Sequence, residues 1–196
     1  ATPTQLAQVS DHAAQGDADF QAGNYAQATS DFQHALVDSP NNGGVMLLLG
    51  QSLFASGQFM PAAGAVQLAM QVLPEAQWGT VVTNYRELYP NIQNYTDQLR
   101  VLEKARTSDP NNAGLRFLLG YHYGYLGYPK NAVTELDQAI KLQPKDYGAQ
   151  LLRNVFAAKA GIPAIPVTPP TAPPTTPENT PSTQTSPPPA PAVRAS

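Results

Sequence analysis

The sequence has 196 residues, no cysteine, and a net charge of −3 that is unevenly distributed along the chain. This length suits one medium-sized domain, and the absence of cysteine excludes disulfide bonds, thiolate metal sites and a cysteine nucleophile. Residues 1–85 carry six acidic side chains and no Lys or Arg, whereas residues 86–196 carry eleven basic and eight acidic side chains. No basic patch is dense enough for nucleic acid, and no apolar run approaches the roughly 18 residues of a membrane span.

Proline recurs at a regular interval, at Pro40, Pro74, Pro110 and Pro144, with spacings of 34, 36 and 34 residues. Each of these prolines follows an amphipathic segment. A period of this length is typical of a helix–turn–helix repeat, and a proline after the second helix of a unit stops that helix. The spacing therefore predicts an all-α chain with four helix–turn–helix units.

The first unit, residues 9–42, follows a short N-terminal extension, residues 1–8. It keeps small and aromatic residues at the repeat positions: Gly16, Gly23, Tyr25, Ala28, Phe32, Ala35 and Pro40. His12 and His34 could meet across its two helices, with Asp31 nearby, as a metal site. Single surface histidines are the better interpretation, because the sequence shows neither a clear third ligand nor residues placed to orient the ligands. We therefore expect no metal ion and no cofactor.

The second unit, residues 43–76, and the fourth, residues 113–146, match each other position by position. The second reads Met46, Leu49, Gly50, Leu53, Gly57, Phe59, Ala62, Val66, Ala69 and Pro74. The fourth reads Arg116, Leu119, Gly120, Tyr123, Gly127, Pro129, Ala132, Leu136, Ala139 and Pro144 at the same offsets. The small residues let two antiparallel helices approach closely, and the larger apolar residues fill the seam between them.

The third unit, residues 79–112, departs from this pattern. Arg86 stands where the other units have a small residue, Gln98 replaces an alanine, and Pro90 falls near the end of the first helix. Two extra residues precede the unit. We expect looser packing there and a local irregularity in the superhelix.

The registered units resemble the tetratricopeptide repeat family closely over residues 9–146, about 70% of the chain. The resemblance implies a solenoid of helix pairs with a concave groove that binds other proteins. It places five aromatic residues toward that groove: Phe20, Phe54, Phe117, Tyr121 and Tyr125. Aromatic walls suit proline-rich ligands, because a polyproline II strand is already ordered and packs flat against rings. Tyr123 is assigned to packing within the chain.

Some members of the family hold a peptide's terminal carboxylate in a clamp of basic and amide side chains. The matching positions here are Ala13, Asp17, Leu48, Thr80 and Asn84. Only Asn84 has suitable chemistry, so a carboxylate clamp is not expected.

The C-terminal part of the chain divides into a helix and a tail. Residues 147–161 have an apolar stripe at helical spacing. We predict that they form a capping helix, because the exposed apolar face of the last repeat in a solenoid must be covered. Residues 162–196 hold twelve prolines and ten Ser or Thr, which predicts an extended segment with polyproline II character. This tail could be a flexible linker, a stalk carrying O-glycans, or a ligand for a protein groove.

Glycosylation would fall at two kinds of position. Asn94 begins an N-glycosylation sequon, although three-residue matches are common by chance. The candidate O-glycosylation sites are Thr168, Thr171, Thr175, Thr176, Thr180, Ser182, Thr183, Thr185 and Ser186.

Function is predicted to be protein binding rather than catalysis. No HExxH, GxSxG or phosphate-binding loop occurs. The favoured interpretation is a structural subunit that assembles head to tail with copies of itself into a fibre or oligomer, with the proline-rich tail docked on a neighbouring copy. The alternative is a monomeric adaptor that binds a separate partner peptide in its concave groove. The low Lys content and the start without Met favour an exported protein that is periplasmic, extracellular or at the cell surface.

Overall fold

A computed structural model describes residues 11–169, and this part of the chain is all-helical, with no strand. Residues 1–10 and 170–196, which include the candidate O-glycosylation sites from Thr171 onward, lie outside the described residues. The helices are α1 (Asp11–Gln21), α2 (Tyr25–Asp38), α3 (Gly43–Ala55), α4 (Phe59–Val72), α5 (Thr80–Thr83), α6 (Tyr85–Leu88), α7 (Ile92–Ser108), α8 (Ala113–Tyr125), α9 (Pro129–Leu142) and α10 (Tyr147–Ala160). In the described range, no helix is both long and apolar enough to span a membrane.

Three helix pairs form the regular part of the fold: α1 with α2, α3 with α4, and α8 with α9. A glycine in the first helix of each pair allows close approach of the second. A Cβ atom at Gly120 would lie 2.5 Å from Leu136 Cγ, and one at Gly50 would lie 3.1 Å from Val66 Cγ2. The small residues predicted at these seams therefore have a direct steric cause.

Each regular pair also turns through a glycine with positive φ: +82° at Gly23, +75° at Gly57 and +91° at Gly127. Only glycine adopts this left-handed conformation without steric cost. The equivalent residue in the third unit is Gln93, which lies inside α7 instead of in a turn. The third unit therefore cannot form the same helical hairpin.

The predicted irregularity of the third unit is present. Its first helix is broken into α5 and α6, each four residues long, by Asn84 at φ −105° and ψ 26°. The side chain of Arg86 is exposed. It therefore does not pack between two helices, as the small residue at the equivalent position does in the other units.

The fourth unit packs against the second unit as well as against the third. Helix α8 contacts α4, where Gly114 is so close to Met60 that an added Cβ would lie 2.5 Å from Met60 Cε. Further along α4, Gln67 Nε2 donates a hydrogen bond to Asp146 Oδ2 at 2.8 Å. Units one, two and four thus stack on one another, while much of the third unit lies to one side.

The last described residues do not leave the domain directly. Helix α10 ends at Gly161, with φ +69°, and residues 162–169 run back along it without regular structure. Asn154 makes two hydrogen bonds of 2.9 Å with the backbone of Ile165, and Gln150 Oε1 accepts one of 2.7 Å from the backbone N–H of Thr168. The first eight residues of the tail are therefore held by their own α10. Docking of the tail on a neighbouring copy remains a prediction.

Candidate functional site: a covered inner face

The candidate site is the surface of α1, α3 and α8 that faces away from their partners α2, α4 and α9. We call it the inner face and define it by Phe20, Gln51, Phe54, Tyr121 and His122. All five side chains are buried, because residues 75–108, here called the cover segment, lie across them. The contacts that follow show how this cover is held.

Tyr89 of the cover segment reaches the first and second units. Its ring makes an edge contact with Phe20, with centroids 4.9 Å apart and planes at 88°. Its hydroxyl accepts a hydrogen bond of 2.8 Å from Gln51 Nε2 and donates one of 2.7 Å to Gln98 Oε1. Burial raises the pKa of Tyr89 well above its ordinary value. The hydroxyl therefore stays protonated and keeps both hydrogen bonds.

Tyr95 of the cover segment joins the second unit to the fourth. Its ring lies 5.9 Å from the ring of Phe54, and its hydroxyl is 2.8 Å from His122 Nδ1. The His122 ring packs on Phe54 at 4.2 Å. Burial lowers the pKa of His122 to about 3, because charging an imidazole in an apolar site is costly. His122 is therefore a neutral core residue that is hydrogen-bonded to Tyr95.

The start of the cover segment packs against the tyrosines of α8. Tyr121 donates a hydrogen bond of 2.8 Å to the backbone oxygen of Trp78, and Gly79 lies so close to the Tyr125 ring that it has no room for a Cβ atom. The Tyr125 ring also contacts Phe156 of α10, with centroids 5.0 Å apart. Its buried hydroxyl has no hydrogen-bond partner within residues 11–169. The tyrosine cluster of α8 thus binds the chain's own backbone.

The prediction that five aromatic residues line an open groove needs correction. Phe20, Phe54 and Phe117 are 1% exposed and Tyr121 is 2% exposed, so no ligand can reach them in this conformation. Tyr125 is half-buried. The physical reason is the cover segment, which occupies the inner face from within the same chain. The tyrosines that complete the site, Tyr89 and Tyr95, went unnoticed in the sequence, although the third unit holds three of the nine tyrosines within eleven residues.

The other predicted positions are distributed over the surface and core. Among the clamp positions, Ala13, Asp17 and Leu48 are buried, and Asn84 Nδ2 donates a hydrogen bond to the backbone oxygen of Thr80. Tyr123 packs against the core and donates a hydrogen bond of 2.7 Å to Glu103 Oε1. Asn94 is exposed at the start of α7, and Thr168 is exposed in the tail. Glycosylation at either remains a prediction.

Two features lie outside the inner face. His12, Asp31 and His34 come together between α1 and α2. A cavity of about 1010 Å³ opens between α4 and the start of α10, lined by residues that include Met70, Pro144, Tyr147 and Leu151. Its lining is mainly apolar.

The family model described as tetratricopeptide repeat matches residues 19–84, from the end of α1 into the third unit. This match agrees with the helix pairs and with the repeat positions that their seams require. Residues 19–84 are tetratricopeptide-like. The predicted resemblance to the tetratricopeptide repeat family is confirmed over residues 19–84, and the predicted all-α fold is confirmed over residues 11–169. The tail from residue 170 onward lies outside both statements.

Among solved structures, the repeats are similar to those titled MamA AMB-1, MamA 41-end from Desulfovibrio magneticus RS-1, and TTC0263, a thermophilic TPR protein in Thermus thermophilus. The identities are 21%, 16% and 18%, and the TM-scores are 0.34, 0.34 and 0.36. The similarity covers 76%, 79% and 77% of this chain and 81%, 88% and 82% of the other chains. No curated protein matches. Similarity of this degree transfers no function to the chain.

Proposed function

We propose that this tetratricopeptide repeat chain is a non-enzymatic scaffold that assembles with copies of itself through its outer surface and its ends. The observation that carries this proposal is the occupation of the inner face by the cover segment. A tetratricopeptide solenoid usually offers its concave surface to a partner. Here Tyr89 and Tyr95 fill that surface, so the outer surface remains for binding.

The filled inner face counts against the alternative adaptor function. A peptide entering the inner face would have to displace both tyrosines, which make ring contacts with Phe20 and Phe54 and hydrogen bonds with Gln51 and His122. Buried hydrogen bonds that are broken and not replaced cost about 1–3 kcal/mol each. An adaptor would therefore need a partner that replaces these contacts closely.

Helix α4 provides an apolar outer surface suited to self-association. Met60, Leu68 and Val72 are 50%, 53% and 42% exposed on it, and no charged residue occurs between positions 39 and 74. Apolar surface of this kind, beside a cavity lined by Tyr147 and Leu151, is typical of a protein-binding region. We propose that it is buried against a second copy.

The distribution of charge along the chain supports contact between the unlike ends of two copies. Residues 1–85 have a net charge of −6 and residues 86–196 a net charge of +3. Opposite charge at a joint guides encounter and orientation more than it adds affinity. Contact between unlike ends of identical chains gives a ring or an open fibre. We propose that the tail from residue 170 onward binds a neighbouring copy in this assembly.

The test is analytical ultracentrifugation of the full chain against Leu68→Glu over a range of concentrations. We expect concentration-dependent association of the full chain and a shift to monomer in Leu68→Glu, because a charge cannot be buried in an apolar contact without a partner. The matched control is Val101→Glu, which also replaces an exposed aliphatic side chain with Glu, at a position that is 54% exposed on α7. A chain that remains monomeric throughout would contradict self-assembly and favour the adaptor.

A second arm separates the contribution of the tail. Truncation after Pro169 keeps the residues bound to Asn154 and Gln150, so α10 stays covered. If the tail docks on a neighbour, this truncated chain associates more weakly than the full chain. Equal association of the two would show that the tail does not contribute.

A further inference from the structure

Two histidines and a buried carboxylate meet between α1 and α2, away from the inner face. His34 and Asp31 lie three residues apart on α2 and therefore on the same side of that helix. His12 approaches them from α1, and its ring centroid lies 5.4 Å from that of His34. One potential ligand atom from each residue lies within 4.8 Å of the other two.

The electrostatic surroundings of Asp31 favour a cation. Its side chain is buried at 6% exposure, and no Lys or Arg occurs in residues 1–85. Gln27 Nε2 donates to its two carboxylate oxygens at 3.3 and 3.4 Å, which are long hydrogen bonds from a neutral group. Burying a carboxylate without a positive partner is costly, and a bound metal ion would remove that cost.

The donor set has the chemistry that zinc prefers. Two imidazole nitrogens and one carboxylate oxygen are common ligands of Zn²⁺, with metal–ligand distances of about 2.0–2.2 Å. Ligand atoms of a tetrahedral site are therefore about 3.3–3.6 Å apart. The side chains of His12 and His34 are exposed, so they can close the difference of about 1 Å by rotation while the helices stay in place.

We propose that His12, Asp31 and His34 form a binding site for a divalent transition-metal ion of the zinc type. Three protein ligands leave a fourth coordination position for water or for a donor from another molecule. The metal links α1 to α2 in the first unit. Because it binds the folded pair and not the unfolded chain, it raises the melting temperature of the protein.

The experiment is isothermal titration calorimetry of ZnCl₂ into the full chain, after treatment with a chelator and its removal, at pH 7.5. We expect one zinc ion per chain. His12→Ala and His34→Ala should each weaken binding by about tenfold or more, and both side chains are exposed, so the fold should be retained. Gln33→Ala, an exposed change on the same helix, is the matched control and should bind as the unchanged chain does.

Cobalt substitution provides a second readout that folding does not alter. Co²⁺ bound by two imidazoles and a carboxylate should give visible absorption bands that are lost in the double variant H12A/H34A. Circular dichroism checks that this variant is still helical. Absence of one-to-one zinc binding, or unchanged zinc affinity in the folded double variant, would overturn the proposal.

Discussion

The second and fourth units form regular helix pairs, while the third unit, placed between them in the sequence, forms a cover over the inner face. All three end in a proline at the expected interval. Two of their differences concern glycines: the seam glycine Gly50 and the turn glycine Gly57 of the second unit are replaced by Arg86 and Gln93 in the third. The comparison shows that the proline spacing marks the position of each unit in the sequence. The seam and turn glycines distinguish the units that form regular helix pairs from the one that does not.

The two kinds of region are held by different interactions. The regular pairs depend on close apolar contact, as between Gly120 and Leu136. The cover segment depends on tyrosine rings and buried hydrogen bonds, as between Tyr95 and His122. Substitutions that act on one kind of contact therefore test the comparison directly.

The largest effect is expected at Tyr95. Replacing it with Ala removes a ring that is 2% exposed and leaves His122 without its hydrogen-bond partner, so we expect a loss of about 3–5 kcal/mol of unfolding free energy. Urea denaturation, monitored by circular dichroism, measures this loss of unfolding free energy. Tyr128→Ala, at a tyrosine that is 58% exposed, should cost less than about 0.5 kcal/mol. Equal losses in both variants would show that the cover segment is not firmly packed.

The next effect separates the seam of a regular unit from the third unit. Gly120→Leu should destabilise the chain by about 1–3 kcal/mol, because its side chain would overlap Leu136 in a filled seam. Arg86→Leu makes the equivalent position of the third unit apolar and should change stability by less than about 0.5 kcal/mol, since Arg86 is exposed. Denaturant midpoints of the two variants check this. A large loss from Arg86→Leu would contradict the displacement of the third unit.

The third effect is a dependence of the unfolding free energy on pH, which is due to His122 where the cover segment meets the inner face. His122 has a folded pKa of about 3 against an ordinary value of 6.5, so the unfolded chain binds the proton more readily. Stability should therefore fall as pH decreases from 6.5 toward 3, with a slope of up to about 1.4 kcal/mol per pH unit from this group. His122→Gln keeps a hydrogen-bonding side chain for Tyr95 without a titrating ring, and the stability of this variant should depend less steeply on pH. Identical slopes would show that His122 is not buried in the neutral form.

The smallest effect is expected where α7 meets α8. Tyr123→Phe removes the hydrogen bond to Glu103, and because Tyr123 is half-buried we expect a loss of about 0.5–1 kcal/mol. Thermal unfolding of the variant and the unchanged chain measures the difference. A loss as large as that of Tyr95→Ala would mean that this edge, and not the inner face, holds the cover segment.

The sequence predicts the helix pairs well because their causes are local. Proline spacing, seam glycines and apolar periodicity all act within one unit, so the units containing Gly50 and Gly120 could be placed without a structure. The covered inner face could not be predicted, because Tyr89 contacts Phe20 from 69 positions away. Nothing in either residue's local pattern indicates the other. The sequence did suggest that His12, Asp31 and His34 could meet, but it could not show that Asp31 would be buried.

The cover segment also has a consequence for folding. An ordinary repeat array has contacts only between adjacent units, so it can unfold from one end and can gain or lose a unit with little effect on the others. Here Tyr89 reaches Phe20 in the first unit, and Tyr95 reaches His122 in the fourth. These distant contacts should slow folding, because long loops must close before they form. They should also make residues 11–169 unfold as one cooperative body, so deleting a single repeat would remove the support of all the others.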